Sequence, residues 1–405
     1  MENFKISFKV KPGEARLESH GVRAISASFE DKRLTVQLKY DFSDTPLTLI
    51  SDAFEGANVE ITVRPYRIRL EVNGILTDEE WPAGNIIIDG ETVSVGDFDL
   101  AFEAIEPEKT DESVYYTRRG IKLDEIRLPG INIGDCMPFS DGRDNKLYHL
   151  FWLYDRHHHK SKWGLGAHQW AHISTHDMQT WDEHPMAIRI TEKYEGSVCT
   201  GSVAYADGKY YAWYAVRMSD RSPARITHAV SEDAVHFNKT MHYFTLPDRY
   251  EATSARDPKL IFHDGKFHLI VTTTLLSSGN GCLAHLVSDN ADMSDLTDCG
   301  PIIEHSDSDQ PECPDWFKMG KYYYLVYSIR GTARYLCSQK PFSDWTAPTD
   351  NIVHCGIVPK SAEFKGKRIF AGFVNENGYG GSLVMAQVRQ NPDGTLCFAD
   401  LKHGN

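Results

Sequence analysis

Three acidic residues precede three recurring turns of this 405-residue chain at similar distances. Asp257 and Glu312 each lie eight residues before the glycine of a turn, and Asp135 lies ten residues before the equivalent asparagine. Two carboxyl groups with separated pKa values can break an acetal, one as nucleophile or base and the other as general acid. A third can hold sugar hydroxyls while charge develops on the ring. The spacing therefore predicts a site for cleaving sugar acetals.

Basic and aromatic residues near these acids suit the same chemistry. Arg256 can hold the neighbouring Asp257 as an oriented carboxylate, which we favour over the alternative of a structural ion pair at a blade edge. Indole rings offer flat apolar faces to the CH groups of sugars, so Trp163 and Trp170 are predicted substrate contacts, and Trp316 is a further candidate. Each of these tryptophans could instead belong to a hydrophobic core.

The segment "DRHHHKSKWGLGAH", residues 155–168, contains four histidines and raises the possibility of a metal site. Neighbouring residues of a strand point to opposite faces, so adjacent members of the run 157–159 cannot readily bind one ion. We therefore expect no metal and no cofactor. We interpret the segment as a polar rim facing the substrate, with Asp155 and His168 as predicted contacts.

Five copies of one pattern must position these side chains. A turn leads into an aromatic strand in "DNKLYHLFW", "DGKYYAWYA", "DGKFHLIVT", "MGKYYYLVY" and "KGKRIFAGF", at spacings of 63, 57, 55 and 46 residues. Each period has room for a four-stranded unit, and five such units close economically into a ring. We predict an all-β fold with a five-bladed β-propeller over residues 118–405, in which the innermost strands carry the acids to the axis.

The first 110 residues alternate apolar and polar positions in short runs such as "RLTVQLKY" and "NVEITV", which predicts a small antiparallel β-sandwich in front of the propeller. A charged stretch containing Pro107 then serves as a linker. Trp81 could be the platform of a carbohydrate-binding module. The alternative, which we favour, is that the sandwich packs on the propeller or on a second subunit of a homo-oligomer.

Composition limits the class of partner. The chain is 41% hydrophobic and 25% charged, with a formal net charge of -14, so it lacks the basic surface expected for nucleic acid or an anionic membrane. A small neutral carbohydrate fits this balance better. No apolar run reaches the roughly 18 residues that span a bilayer. The eight scattered cysteines predict free thiols and a cytoplasmic protein.

Four ordered blocks resemble family 32 of the glycoside hydrolases, the invertases, inulinases and levanases. The blocks are the segment from Tyr148 to Ile188, "CTGSVAY", "ARDPKL" and "PECPDWF". The resemblance implies a five-bladed propeller that acts on β-fructofuranosides with retention, through a covalent fructosyl intermediate. It also implies that Asp135 is the nucleophile, Asp257 the transition-state stabiliser and Glu312 the general acid/base.

The resemblance also highlights positions beside these acids. Thr200 stands where the family has Ser and is an expected substrate contact, Leu153 stands where it has Gln, and Gly134 stands where it has the Asn next to the nucleophile. We predict an exo-acting hydrolase that removes terminal fructosyl residues from sucrose-like or short fructo-oligosaccharide substrates. Two alternatives stay open: an inverting arabinofuranosidase or xylosidase of a related five-bladed family, and a non-catalytic sugar-binding propeller.

Overall fold

Strands make up nearly all of the regular structure described for this protein. The structure is a computed structural model, and it describes residues 3–42, 44–65, 67–82, 84–86, 88, 91–107, 115–129, 131–140, 147–156, 168–376 and 379–401. The helical content in these ranges includes a 3₁₀ turn at Leu123–Glu125. None of the described helices is long and apolar enough to cross a membrane. All eight cysteines are free thiols, as the sequence predicted.

The N-terminal part is an antiparallel β-sandwich, in agreement with the sequence-based prediction. One sheet has the strand order β10-β1-β6-β7-β8 and the other β5-β4-β3-β2-β9, and their inner faces enclose a single apolar core. The strands are β1 (Phe4–Lys9), β2 (Gly13–Ser19), β3 (Val22–Glu30), β4 (Arg33–Leu38), β5 (Leu47–Asp52), β6 (Asn58–Val63), β7 (Ile68–Val72), β8 (Ile75–Glu80), β9 (Thr92–Gly96) and β10 (Ala101–Ala104).

The remaining strands form five antiparallel blades. They are, for blade one, β11 (Arg118–Ile121), β12 (Ile131–Phe139), β13 (Tyr148–Arg156), β14 (Gln169–Thr175) and β15 (Trp181–Glu183); for blade two, β16 (Glu195–Ala206), β17 (Lys209–Met218), β18 (Arg225–Ser231) and β19 (Asn238–Phe244); for blade three, β20 (Arg256–His263), β21 (Lys266–Leu275), β22 (Asn280–Ser288) and β23 (Thr297–Glu304); for blade four, β24 (Glu312–Met319), β25 (Tyr322–Ile329) and β26 (Thr332–Ser338); and for blade five, β27 (Ile357–Phe364), β28 (Lys367–Asn375), β29 (Gly381–Gln390) and β30 (Leu396–Asp400).

The blades close into a ring, which confirms the five-bladed β-propeller. The innermost strands β12, β16, β20, β24 and β27 each contact the next, and β27 returns to β12. Blades one and five also share a sheet, because Ile133 on β12 pairs with Gly381 on β29. Four of the five predicted turns join the first two strands of a blade. The turn around Asn145 lies outside the described residues.

Each innermost strand carries a β-bulge at the same height. Two of its residues face one residue of the second strand, so consecutive side chains can reach the axis without loss of the ladder beyond. Three of the bulges contain proline, which has no N–H to lose at an unpaired position. The bulged pairs are Gly134–Asp135, Cys199–Thr200, Asp257–Pro258, Cys313–Pro314 and Val358–Pro359.

The bulges correct one detail of the sequence-based reasoning. Glu312 immediately precedes its bulge, Asp257 is the first residue of its bulge and Asp135 is the second, so the three acids do not share one strand position. Counting eight residues back from the turn glycine does not reach equivalent strand positions in the two blades. Gly320 is the first residue of its turn, whereas Gly265 is the second. All three positions nevertheless face the axis.

The sandwich packs on blade one through a buried polar contact. Trp81 belongs to the apolar core of blade one and is 4% exposed, with the Arg67 guanidinium 5.0 Å from its ring centre. Arg67 Nε donates to Glu79 at 2.7 Å, and Tyr154 of blade one donates to the same carboxylate at 3.2 Å. An indole enclosed in this way has no face left for a carbohydrate. The alternative in which the sandwich packs on the propeller is therefore the observed one.

Replacement of Trp81 by alanine should destabilise the protein by about 3–5 kcal/mol, because it leaves a cavity between the sandwich and blade one. The free energy of unfolding in denaturant checks this expectation. Phe54→Ala is the control, since that ring is 60% exposed on the sandwich and its loss should change the free energy little. Equal effects of the two substitutions would contradict the interface described here.

A pair of histidines stacks inside blade three. The Nδ1 atom of His268 lies 2.9 Å from Nε2 of His285, and the ring of Phe342 stacks on His268 at 4.0 Å. Burial, reinforced by the His268 ring, lowers the pKa of His285 to about 4, although Asp298 acts in the opposite direction. The folded blade therefore holds this imidazole neutral where an unfolded chain would protonate it.

The free energy of unfolding should fall as the pH drops from about 6.5 to about 4. In this range His285 binds a proton in the unfolded chain but stays neutral in the folded protein. His285→Gln should remove about 3 kcal/mol of this pH dependence near pH 4. Urea unfolding at several pH values measures it, with the exposed His354→Gln as control. A pH dependence identical in wild type and His285→Gln would refute the assignment.

Candidate active site

A cavity of about 210 Å³ lies where the five bulges meet. Six of the nine predicted site residues line it together: Asp135, Asp257, Glu312, Arg256, Thr200 and His168. They come from four blades and are separated by up to 177 residues in sequence. The ring of bulges thus brings the acids together as the sequence led us to expect.

Neutral donors hold both oxygens of the Asp135 carboxyl group. Thr200 Oγ1 donates to Oδ2 at 2.5 Å, and Tyr379 Oη donates to Oδ1 at 2.8 Å. The Cys313 thiol also lies 3.5 Å from Oδ2. Hydrogen bonds to both oxygens fix the orientation of a carboxyl group. The Asp135 side chain is therefore held in one position in the cavity.

Backbone geometry fixes Asp257 at the bottom of the cavity. The backbone N–H of Cys313 donates to Asp257 Oδ2 at 2.9 Å, and the thiol of the same cysteine lies 3.6 Å away. Both residues have left-handed φ angles, 57° for Asp257 and 52° for Cys313. Non-glycine residues adopt this conformation at a cost, and such positions concentrate at functional sites. The Cys313 thiol joins the two aspartates.

Glu312 differs from the aspartates in its environment. Its side chain is 40% exposed, and Arg256 Nη2 donates to Oε1 at 3.0 Å. Burial raises the pKa of Glu312 above its ordinary value; the Arg256 guanidinium opposes this, and the negative charges of Asp257 and Asp135 reinforce it. A carboxyl group with a raised pKa beside a fixed carboxylate is the arrangement that an acid/base pair requires.

The Arg256 guanidinium contacts two carboxyl groups of the cavity and is held by further polar groups. It lies 3.7 Å from Asp257, contacts Glu312 and donates to the carbonyl of Ser254 at 2.9 Å. The same nitrogen, Nη1, also donates to Gln310, whose amide in turn donates to Ser254 Oγ and Thr274 Oγ1, each at 2.7 Å. This network holds the guanidinium between the two carboxyl groups.

His168 lines the cavity, whereas Asp155 contacts His168 and does not line the cavity. Asp155 is 6% exposed and its Oδ1 lies 3.6 Å from His168 Nε2. The His168 ring in turn packs 5.2 Å from that of Tyr379. Asp155 is thus placed to orient His168 and is not part of the cavity lining, which corrects the expectation of a direct substrate contact.

The predicted aromatic platforms are placed differently. Trp170 is 0% exposed, lies in an apolar core and donates from Nε1 to the carbonyl of Cys199 at 2.9 Å, so it is a core residue and offers no face to a sugar. Trp316 stacks on Phe342 outside the cavity lining. Trp163 lies outside the described residues, as do the three adjacent histidines of the segment 155–168. Within the described part of the chain, no group of three or more potential ligands could hold a metal ion.

Sequence reasoning missed the aromatic side chains that do line the cavity, Phe373 and Tyr379 of blade five. Phe373 lies near the end of β28, and Tyr379 lies two residues before β29, in the glycine-containing stretch "NENGYGG" of residues 375–381. The available signal was topological. A loop that follows the second strand of a blade returns to the same end of the ring as the bulges.

Comparison with known proteins places the chain in a family. The model of the N-terminal domain of glycosyl hydrolases family 32 matches residues 143–370. Sucrose-6-phosphate hydrolase of Bacillus subtilis (strain 168) is 28% identical over 195 residues, which is 45% of this chain and 39% of that protein. Raffinose invertase of Escherichia coli is 26% identical over 198 residues, 46% of this chain and 40% of that protein. The match therefore spans about two fifths of the length of these curated relatives.

A solved structure agrees at the level of the fold. A variant of fructan 1-exohydrolase IIa from Cichorium intybus, in complex with 1-kestose, superposes with a TM-score of 0.57 at 17% identity, covering 71% of this chain and 61% of that one. The family match covers more than half of the chain and includes Asp257 and Glu312. The chain belongs to family 32 of the glycosyl hydrolases.

Proposed function

We propose that this protein is a retaining exo-glycoside hydrolase that removes terminal fructosyl residues from sucrose-like or short fructo-oligosaccharide substrates. The observation that carries the proposal is the meeting of Asp135, Asp257 and Glu312 in one cavity, with donors fixing the first and a raised pKa at the last. The family membership supports the same substrate class.

The first half of the reaction uses the two acids whose environments differ most. Asp135 attacks C2 of the fructosyl residue and forms a covalent ester-like bond, while the bond from C2 to the glycosidic oxygen breaks. Glu312 gives its proton to that oxygen, so the leaving sugar departs as a neutral alcohol. Asp257 holds ring hydroxyls as positive charge develops on the sugar.

The second half returns both groups to their initial states. Glu312, now a carboxylate beside Arg256, takes a proton from water as the water oxygen attacks C2. The bond between C2 and Asp135 breaks, fructose leaves and Asp135 regains its charge. Two displacements at one carbon retain the anomeric configuration.

The cavity favours a single furanose ring. Its volume of about 210 Å³ is below that of pockets that enclose drug-sized ligands, so the rest of the substrate must project outward. Ile357, Val358 and Phe373 give one side of the cavity an apolar surface suited to the CH groups of a sugar. The eight free thiols support a cytoplasmic location for this reaction.

Asp135→Asn and Glu312→Gln should each reduce the release of fructose from sucrose or 1-kestose by at least about a thousandfold, because each removes one half of the acid–nucleophile pair. Asp264→Asn makes the same chemical change in an exposed turn and serves as the control. Turnover near the wild-type rate in either cavity variant would refute the assigned roles.

The configuration of the first product tests the reaction type independently. Proton NMR of the fructose released from a β-fructoside should show the β anomer before mutarotation. An α anomer would favour the inverting alternative, and no hydrolysis of any fructoside or arabinoside above background would favour the non-catalytic one.

In a plot of kcat/KM against pH, the fall on the alkaline side, the alkaline limb, should occur at a higher pH than the titration of an ordinary glutamate. Glu312 must carry a proton for the reaction, and burial raises its pKa. Arg256→Met should move that limb to still higher pH, because the guanidinium acts to lower this pKa. Measurement of kcat/KM against pH compares the two, with Arg249→Met as the exposed control. A limb that stays in place or moves down in Arg256→Met would contradict this account.

A further inference from the structure

We infer that Tyr379 is a further catalytic residue, whose phenol selectively drives the second displacement by stabilising Asp135 as a leaving carboxylate. The inference rests on the proposed function above. Its starting point is the contact of Tyr379 Oη with Asp135 Oδ1 at 2.8 Å, a hydrogen bond between residues 244 positions apart.

The seam between the first and last blades creates this contact. Ile133 pairs with Gly381 in an antiparallel bridge, which brings the residues that follow Ile133 close to those that precede Gly381. Asp135 and Tyr379 are each two positions from this bridge. The backbone N–H of Asp135 also lies 3.3 Å from Tyr379 Oη. The phenol thus meets the main chain and the side chain of one residue.

Gly134 provides the space that the phenol occupies. A Cβ atom at Gly134 would lie 2.8 Å from Tyr379 Oη and 3.0 Å from the carbonyl oxygen of Leu153. Any larger residue in this position would displace the hydroxyl group from Asp135. The glycine ahead of the nucleophile and the tyrosine of blade five therefore form a matched pair.

Neighbouring rings hold the phenol in place. Phe373 packs edge-on against Tyr379 at 5.5 Å, and the His168 ring lies 5.2 Å away on a different blade. Burial, with the charge of Asp135, raises the pKa of Tyr379 well above its ordinary value, so the group is a permanent donor. The hydrogen bond from Tyr379 to Asp135 can therefore become stronger or weaker during the reaction while the phenol keeps its proton.

The charge on Asp135 changes in opposite directions in the two displacements. The carboxylate loses its charge when it bonds to C2, so the hydrogen bond from Tyr379 weakens during the first step. It strengthens again as Asp135 departs from C2 with the bonding electron pair, and hydrogen bonds to ionised acceptors are the stronger ones. Tyr379 therefore opposes formation of the fructosyl intermediate and promotes its hydrolysis.

Tyr379→Phe should thus retard the second step by about ten- to one-hundredfold, the range expected for a hydrogen bond to a charged group. Rapid-quench kinetics with sucrose separates the steps, because glucose leaves in the first and fructose in the second. We expect a burst of glucose equal to the enzyme concentration, a slow steady state and a fructosyl adduct on the protein in intact-mass spectra.

Tyr335→Phe is the matched control, because it removes a buried phenol that lies outside the cavity, where it donates to the carbonyl of Asp350 and accepts from the backbone N–H of Leu396. It should release glucose and fructose at equal rates. Absence of a glucose burst in Tyr379→Phe, with kcat within about threefold of wild type, would overturn the inference alone. Release of α-fructose as the first product of the wild-type enzyme would instead overturn the proposed double displacement.

Gly134→Ala provides a second route to the same test, since the added methyl group displaces the phenol and leaves Tyr379 itself intact. It should also produce a glucose burst. In the Tyr379→Phe background it should reduce kcat less than it does in wild type, because the clash with Oη is then gone and only the 3.0 Å contact with the carbonyl oxygen of Leu153 remains. Independent, multiplicative effects of the two substitutions would contradict the coupling.

Discussion

The site depends on a repeated distortion of the backbone at the innermost strand of every blade. A regular strand would send alternate side chains to opposite faces of its blade, and only every second residue could approach the axis. The bulges relax that alternation at one height, so that Glu312, Asp257 and Asp135 face one cavity from three different strand positions. Below this level the ladders resume, and the blades pack as ordinary sheets.

Such a concentration of carboxylates is costly unless each has partners. The protein supplies neutral donors to Asp135, a backbone N–H to Asp257 and a guanidinium to Glu312. A further layer continues below the cavity, where Lys259 lies 2.7 Å from Asp315 and the buried Lys360 donates to the carbonyl of Gly201 at 2.7 Å. These contacts link four blades around the axis, so the polar groups of the site also hold the ring together.

The repeated turns and aromatic strands were sufficient to predict the propeller, and the acids upstream of them to predict the cavity, because both follow from local periodicity. The roles of the tryptophans were less accessible. Burial of Trp170 and Trp81 depends on which strands pack against them, and this is decided by distant parts of the chain. Tyr379 was missed for the same reason, since its proximity to Asp135 arises only when the fifth blade joins the first. The predicted strand position of Glu312 was wrong by one residue, because Gly320 is the first residue of its turn and the equivalent glycine of blade three is the second.

The seam between β12 and β29 is the place where the two ends of the propeller are joined, and the backbone bridge between Ile133 and Gly381 lies beside the hydrogen bond from Tyr379 to Asp135. Contacts between residues far apart in the sequence are lost together when a closed ring opens, whereas contacts between consecutive blades can remain. Partial opening of this seam would carry Asp135 away from the Tyr379 phenol while most of the β-structure remained. Heat or denaturant would then inactivate the protein before it melts, and the active site itself would serve as the most sensitive indicator of ring closure.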